Sequence, residues 1–154
     1  MINRALRSYP VLCLFLLSIV PLNPVFAIEP VFSNFLGQAI RGYDPVAYFK
    51  EGKPVEGKSA FKTDWKGASW RFSSQENLDL FKAAPDSYAP QYGGYCAWAV
   101  SRGYTAKIDP EAWTIHDGKL YLNYNEGIRD QWSQDIPANI QKAEANWPGL
   151  LAGD

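Results

Sequence analysis

The sequence predicts a small single α+β domain in which antiparallel β-hairpins pack against about three helices. Three observations carry this. Two segments place apolar and polar residues alternately on either side of a two-residue turn, Lys66-Gly67 and Asp117-Gly118. Three other stretches space large apolar residues three or four apart, as one face of a helix requires: Leu78 and Phe81; Ile128, Trp132 and Ile136; Ile140, Ala143 and Trp147. Finally, six Trp, nine Tyr and eight Phe supply the apolar area for one well-filled core. Hairpins and helices that do not alternate regularly belong to the α+β class.

The chain opens with the three parts of a secretory signal. Arg4 and Arg7 come without an acid, Val11 to Val20 is apolar, and Pro21, Pro24 and the small-residue site Val25-Phe26-Ala27 follow. The apolar run is about ten residues where a spanning helix needs about twenty. Residues 1–27 are therefore expected to be a cleaved signal peptide. The mature chain is then exported to the periplasm or the exterior, with no stable membrane insertion. Cleavage leaves 127 residues with 13 basic against 16 acidic side chains, net −3. No window clusters Lys and Arg, which argues against nucleic acid and anionic lipid as partners.

Residues 28–40 read as an extended, Pro30-interrupted lead-in, residues 41–148 as the domain and residues 149–154 as a C-terminal tail. Within the domain, Val46 to Phe49 is a short apolar run with strand character, closed by Glu51-Gly52-Lys53-Pro54. A two-residue turn at Lys66-Gly67 pairs Trp65 with Ala68, Thr63 with Trp70 and Phe61 with Phe72, all six on one face. Ser73 is the expected N-cap of a helix, with Glu76 at capping-box spacing, running up to Pro85. Gly93-Gly94 permits a close backbone approach, by a neighbouring strand or by a ligand. Tyr95 to Val100 is a buried element whose type periodicity leaves open.

The Asp117-Gly118 turn pairs Ile115 with Leu120 and Trp113 with Leu122 on a core face. It puts Thr114, His116, Lys119, Tyr121 and Asn123 on a polar one. Pro137 is expected to stop the helix of Ile128, Trp132 and Ile136, and Pro148 the helix of Ile140, Ala143 and Trp147.

Gly42-Tyr43-Asp44-Pro45-Val46-Ala47-Tyr48-Phe49, Asp64 through Ser74 (DWKGASWRFSS) and Tyr92-Gly93-Gly94-Tyr95-Cys96-Ala97 resemble the YHS-domain family. Asp109-Pro110-Glu111-Ala112-Trp113 and Asp117 through Asn123 (DGKLYLN) are similar to its small exported branch. The resemblance implies the YHS-like fold over residues 41–148. It also implies a metal site, since metal-associated members carry cysteines at three positions that match Ala47, Ser73 and Asn77 here. None of these three is a thiolate, so no metal is expected there, and apolar packing with the Ser73 cap is expected to hold that region.

With Cys13 in the signal, Cys96 is the one thiol of the mature chain and His116 the one imidazole. Cys96 is a buried hydrophobe, a metal or redox group, or an intermolecular bridge that would make a homodimer. As a soft donor it would suit Cu(I) better than a closed zinc site, which takes about four N/S ligands. His116 reads as a solvated side chain on the polar face. The tryptophans and tyrosines are core on most inferred faces, with a carbohydrate platform as the competing use. Asp44-Pro45 and Asp109-Pro110-Glu111 read as turn or helix caps. Phosphate loops, CxxC, HExxH and GxSxG are missing.

These features favour a non-catalytic exported module that binds a small ligand or a metal through Cys96. Two other readings stand beside it: a structural or protein-interaction domain with an inert Cys96, and a thiol-dependent redox enzyme, which lacks a resolving cysteine and an evident base.

Overall fold

A computed structural model describes residues 27–153. Apart from Ala27, the signal-peptide segment lies outside them. Two separate antiparallel hairpins form the β portion: β1 (Lys58–Trp65) with β2 (Ala68–Phe72), and β3 (Asp109–His116) with β4 (Lys119–Asn123). Three helices of two turns or more, α2 (Gln75–Ala83), α5 (Glu126–Ser133) and α6 (Ile136–Ala152), join three single turns, α1 (Ala47–Lys50), α3 (Pro85–Tyr88) and α4 (Ala97–Val100). This is the α+β arrangement that the sequence predicts. None of the described helices is long and apolar enough to cross a membrane.

Both hairpins turn where the dipeptides indicate. Lys66 and Gly67 have φ of 47° and 80°, Asp117 and Gly118 of 48° and 70°, the left-handed pairs that match the twist of the flanking strands. Trp65 pairs with Ala68 and Thr63 with Trp70, as expected. The expected Phe61–Phe72 pair does not form. The register slips between Lys58 and Lys62, so Lys58 stands opposite Phe72, and Phe61 falls inside the bulge while still packing on the core. In the second hairpin Ile115 pairs with Leu120 and Trp113 with Leu122. Its bulge lies between Asp109 and Trp113 and contains Pro110, which has no N–H to give a ladder.

Four other expectations are corrected. Val46 to Phe49 is not a strand: α1 forms there, because the Asp44 carboxylate holds the Val46 and Ala47 N–H groups and winds the chain into a turn. The N-cap of α2 is Ser74, whose hydroxyl accepts from the Asn77 N–H, since Ser73 is engaged elsewhere. Pro137 opens α6 instead of stopping α5. Asp135 caps that start, and proline is tolerated in a first turn, where its missing N–H has no partner to lose. Pro148 lies inside α6, which runs on to a left-handed Gly153.

The core has two parts. In the first, Trp70, Phe72 and Phe81 stack between the β1–β2 hairpin and α2, with ring centroids 5.1–5.2 Å apart. In the second, Tyr121 and Trp132 pack at 5.0 Å beside Ala97, Val100 and Ala143. This second part overturns the polar assignment of one face of β4: Tyr121 and Asn123 are buried, because α5 and α6 cover the face expected to meet water. The lead-in is extended only in part. It bends at an Asn34–Gly37 turn, forms a 3₁₀ turn at Ile40–Gly42, and lies against Gly93, whose carbonyl accepts from the Phe32 N–H at 2.9 Å. A Cβ on Gly93 would run into the Pro30 carbonyl, so this glycine serves a close approach between two parts of the chain.

Candidate functional site

Two buried polar stations stand out, and both take shape around short helical turns. The first is centred on Asp44, fully buried at the start of α1. Its Oδ1 accepts from the backbone N–H of Val46 at 2.8 Å and of Ala47 at 3.3 Å. Its Oδ2 accepts from the Ser73 N–H at 2.8 Å, the Ser73 hydroxyl at 2.7 Å and the Asn77 side-chain amide at 2.7 Å. The Asn77 amide also donates to Ser73 Oγ at 3.2 Å.

Ala47, Ser73 and Asn77 thus converge, and what they converge on is a carboxylate of the chain itself. Both of its oxygens are occupied by donors, and no thiolate or imidazole is at hand. The donor set does not fit a thiolate-held metal. Ser73 is not a helix cap but part of this network, and a polar network, not apolar packing alone, joins α1 to α2. Asp44-Pro45 and Asp109-Pro110 look alike in the sequence. Only the fold gives Asp44 partners 29 and 33 residues away, whereas Asp109 merely accepts from the Glu111 N–H two residues on.

The second station is Cys96, which precedes α4 and is 1% exposed. Its thiol faces the Asn123 amide oxygen at 3.7 Å, and the same oxygen accepts from the Trp98 N–H at 3.1 Å. Asn123 therefore serves α4 as a cap supplied from β4. Its Nδ2 is buried without a partner, as are Trp132 Nε1 and Arg71 Nε. Burial pushes the Cys96 pKa up. Backbone N–H groups of Ala99, Tyr124 and Trp98 and the Arg102 charge pull it down, but burial prevails. Four residues of helix have little dipole with which to oppose desolvation. The group is a neutral thiol at neutral pH.

A pocket of about 270 Å³ opens over this thiol, walled by Trp98, Tyr104, Ala106, Tyr124 and Ile128. Tyr104 and Tyr124 are exposed at its mouth, and the Arg102 guanidinium lies over the Trp98 ring.

His116 does not join either station. It ends β3 beside the turn, with Nε2 3.4 Å from Asp117 Oδ2. It pairs with Lys119, whereas Asn123 and its Cys96 contact lie at the other end of β4, about 13 Å along the strand at the usual rise. Among the described residues no three His, Cys, Asp or Glu side chains gather closely enough to hold an ion. Sequence reasoning found Cys96 but missed Asn123, which the alternation of β4 sends to a face that looked solvated.

Residues 46–92, which run from α1 through the first hairpin and α2 to the turn before Gly93, match the YHS domain family. The chain carries a YHS domain. No curated protein and no solved structure matches it. The match contains Ala47, Ser73 and Asn77, three partners of Asp44, and ends before Cys96. The Cys96 pocket therefore belongs to what is built around the YHS segment, from α4, β4 and α5.

Proposed function

We propose that this protein is a non-catalytic, exported YHS module that binds a small, largely apolar molecule in the pocket over Cys96. The observation that carries the reading is that pocket. Aromatic and aliphatic walls enclose about 270 Å³ above a neutral thiol, a volume close to the roughly 300 Å³ at which small-molecule sites begin. A thiol with a raised pKa is a poor nucleophile, which speaks against catalysis by Cys96. Export rests on the signal pattern of residues 1–27, and intact-mass measurement of secreted material beginning at Ile28 would support it.

The test is access to the sulfur. In the folded protein, methyl methanethiosulfonate, small and neutral, is expected to modify Cys96, while a bulky charged aryl disulfide is not. Toluene, as a pocket-sized probe, should slow the modification. Failure of both reagents until the protein unfolds would favour the second reading, a structural or interaction domain with an inert thiol, which the 1% exposure of Cys96 supports. Rapid reaction with both at neutral pH would favour a redox enzyme. Stoichiometric Cu(I) capture under reducing conditions, lost in Cys96→Ser, would replace the apolar ligand with a soft metal.

A further inference from the structure

A second cleft lies on the opposite side of the YHS segment, where the β1–β2 turn faces the last turns of α6. It encloses about 330 Å³, and its lining includes Trp65, Trp147, Tyr92, Lys66, Asp86 and Gln91. Trp65 and Trp147 are only half-buried, unlike Trp70 and Trp132, which are fully enclosed. Core packing accounts for the latter pair and leaves indole surface of the former in the cleft.

The polar lining has its own logic. Lys66 Nζ bonds Asp86 Oδ1 at 3.1 Å and sits 4.1 Å from the centre of the Trp65 ring. Both partners of this ion pair are more than half exposed, so opening it costs little and frees an acceptor and a donor. The Gln91 side chain faces the same space. Behind these groups Tyr92 has a φ of 55°, left-handed for a residue with a side chain, followed by Gly93 and Gly94 at 60° and 83°. Such strain is held in place by the packing of Tyr92 against Tyr121 and Trp147.

We propose that this cleft binds a neutral pyranose ring of a saccharide. A pyranose has an apolar C–H face that suits an indole and a rim of hydroxyls, each both donor and acceptor. Trp65 and Trp147 offer the first kind of contact, and Asp86, Lys66 and Gln91 the second. An aromatic or purely aliphatic ligand would use the indoles and strand the charged pair. The volume, at the low end of small-molecule sites, suits one or two rings.

The experiment follows the indole N–H signals of the mature protein by NMR during titration with maltose, cellobiose and N,N′-diacetylchitobiose, with free indole as the non-sugar probe. Saturable shifts of Trp65 and Trp147, but not of Trp70 or Trp132, are expected with at least one disaccharide. Asp86→Ala should weaken that binding about tenfold, the loss of one charge-assisted hydrogen bond, with the melting temperature unchanged because Asp86 is exposed. The proposal fails if no disaccharide shifts these signals up to its solubility, if Asp86→Ala and Lys66→Ala bind as well as the parent, or if free indole is preferred to every sugar. The Cys96 pocket shares no residue with this cleft, so either result leaves the labelling experiment independent.

Discussion

Asp44 and Cys96 are both buried beside a four-residue helical turn, and both are bridged to a distant element by an asparagine, yet one station is closed and the other open. Asp44 has a donor for each lone pair it can use and no cavity beside it. Cys96 has one weak partner at 3.7 Å, an asparagine with an unpaired amide, and a pocket over its sulfur. The difference separates fold from function. A polar site with every group satisfied holds elements together and has nothing left to bind with, whereas one with unsatisfied groups next to a cavity keeps capacity for a ligand.

The largest effect should therefore come from the closed station. Asp44→Ala leaves the N–H groups of Val46, Ala47 and Ser73 and the Asn77 amide without an acceptor in a buried place. It is expected to cost ~4 kcal/mol in a urea-unfolding experiment. Asp44→Asn should recover less than half of that, because its NH₂ must face donors at one of the two oxygen positions. A loss for Asp44→Ala of the size usual for a surface substitution would remove the contrast altogether.

At the open station Asn123→Ala is expected to cost ~2 kcal/mol, since it strands the Trp98 N–H while also removing the unpaired Nδ2. The same denaturant titration measures it. Cys96→Ser should cost about 1 kcal/mol, a hydroxyl being less at ease than a thiol among apolar walls but able to donate to Asn123. The Cys96 pKa is raised on folding, so the folded state favours the protonated thiol. Its contribution to stability is fully present below the ordinary thiol value of 9.0 and is lost as pH rises from there through the higher folded value. Unfolding titrations across that alkaline window should show wild type losing stability relative to Cys96→Ser as pH rises. Equal slopes would mean the thiol is not desolvated.

The fold was legible because its signals are local: two turn dipeptides, helical spacing and a cap-rich boundary at Ser73-Ser74. What was not legible depended on distance. Nothing near Val46 to Phe49 distinguishes a strand from a turn of helix, since the cause is how the Asp44 carboxylate is held, with partners in α2. Tyr121 and Asn123 alternate like solvent-facing residues, and only α5 and α6, arriving later in the chain, bury them. Pro137 and Pro148 read as stops because a proline's effect depends on its position in a helix, which the sequence does not number. Cys96 was found by counting thiols. Its pocket needed side chains from three elements.

His116 provides the comparison with a polar residue outside both stations. The hairpin register pairs it with Lys119 beside the Asp117-Gly118 turn, and its side chain is one-third exposed. Its neighbour Asp117 is 89% exposed, so water screens their contact at 3.4 Å and little energy is at stake. His116→Ala is expected to change stability by less than about 0.5 kcal/mol, as surface substitutions do. The same pairing puts Ile115 opposite Leu120 on the core side, so a one-residue slip would turn His116 inward and Ile115 outward. A loss approaching that of Asn123→Ala would mean that this slip occurs, and that the β4 residues now placed at the Cys96 station, Asn123 first among them, stand on the other face.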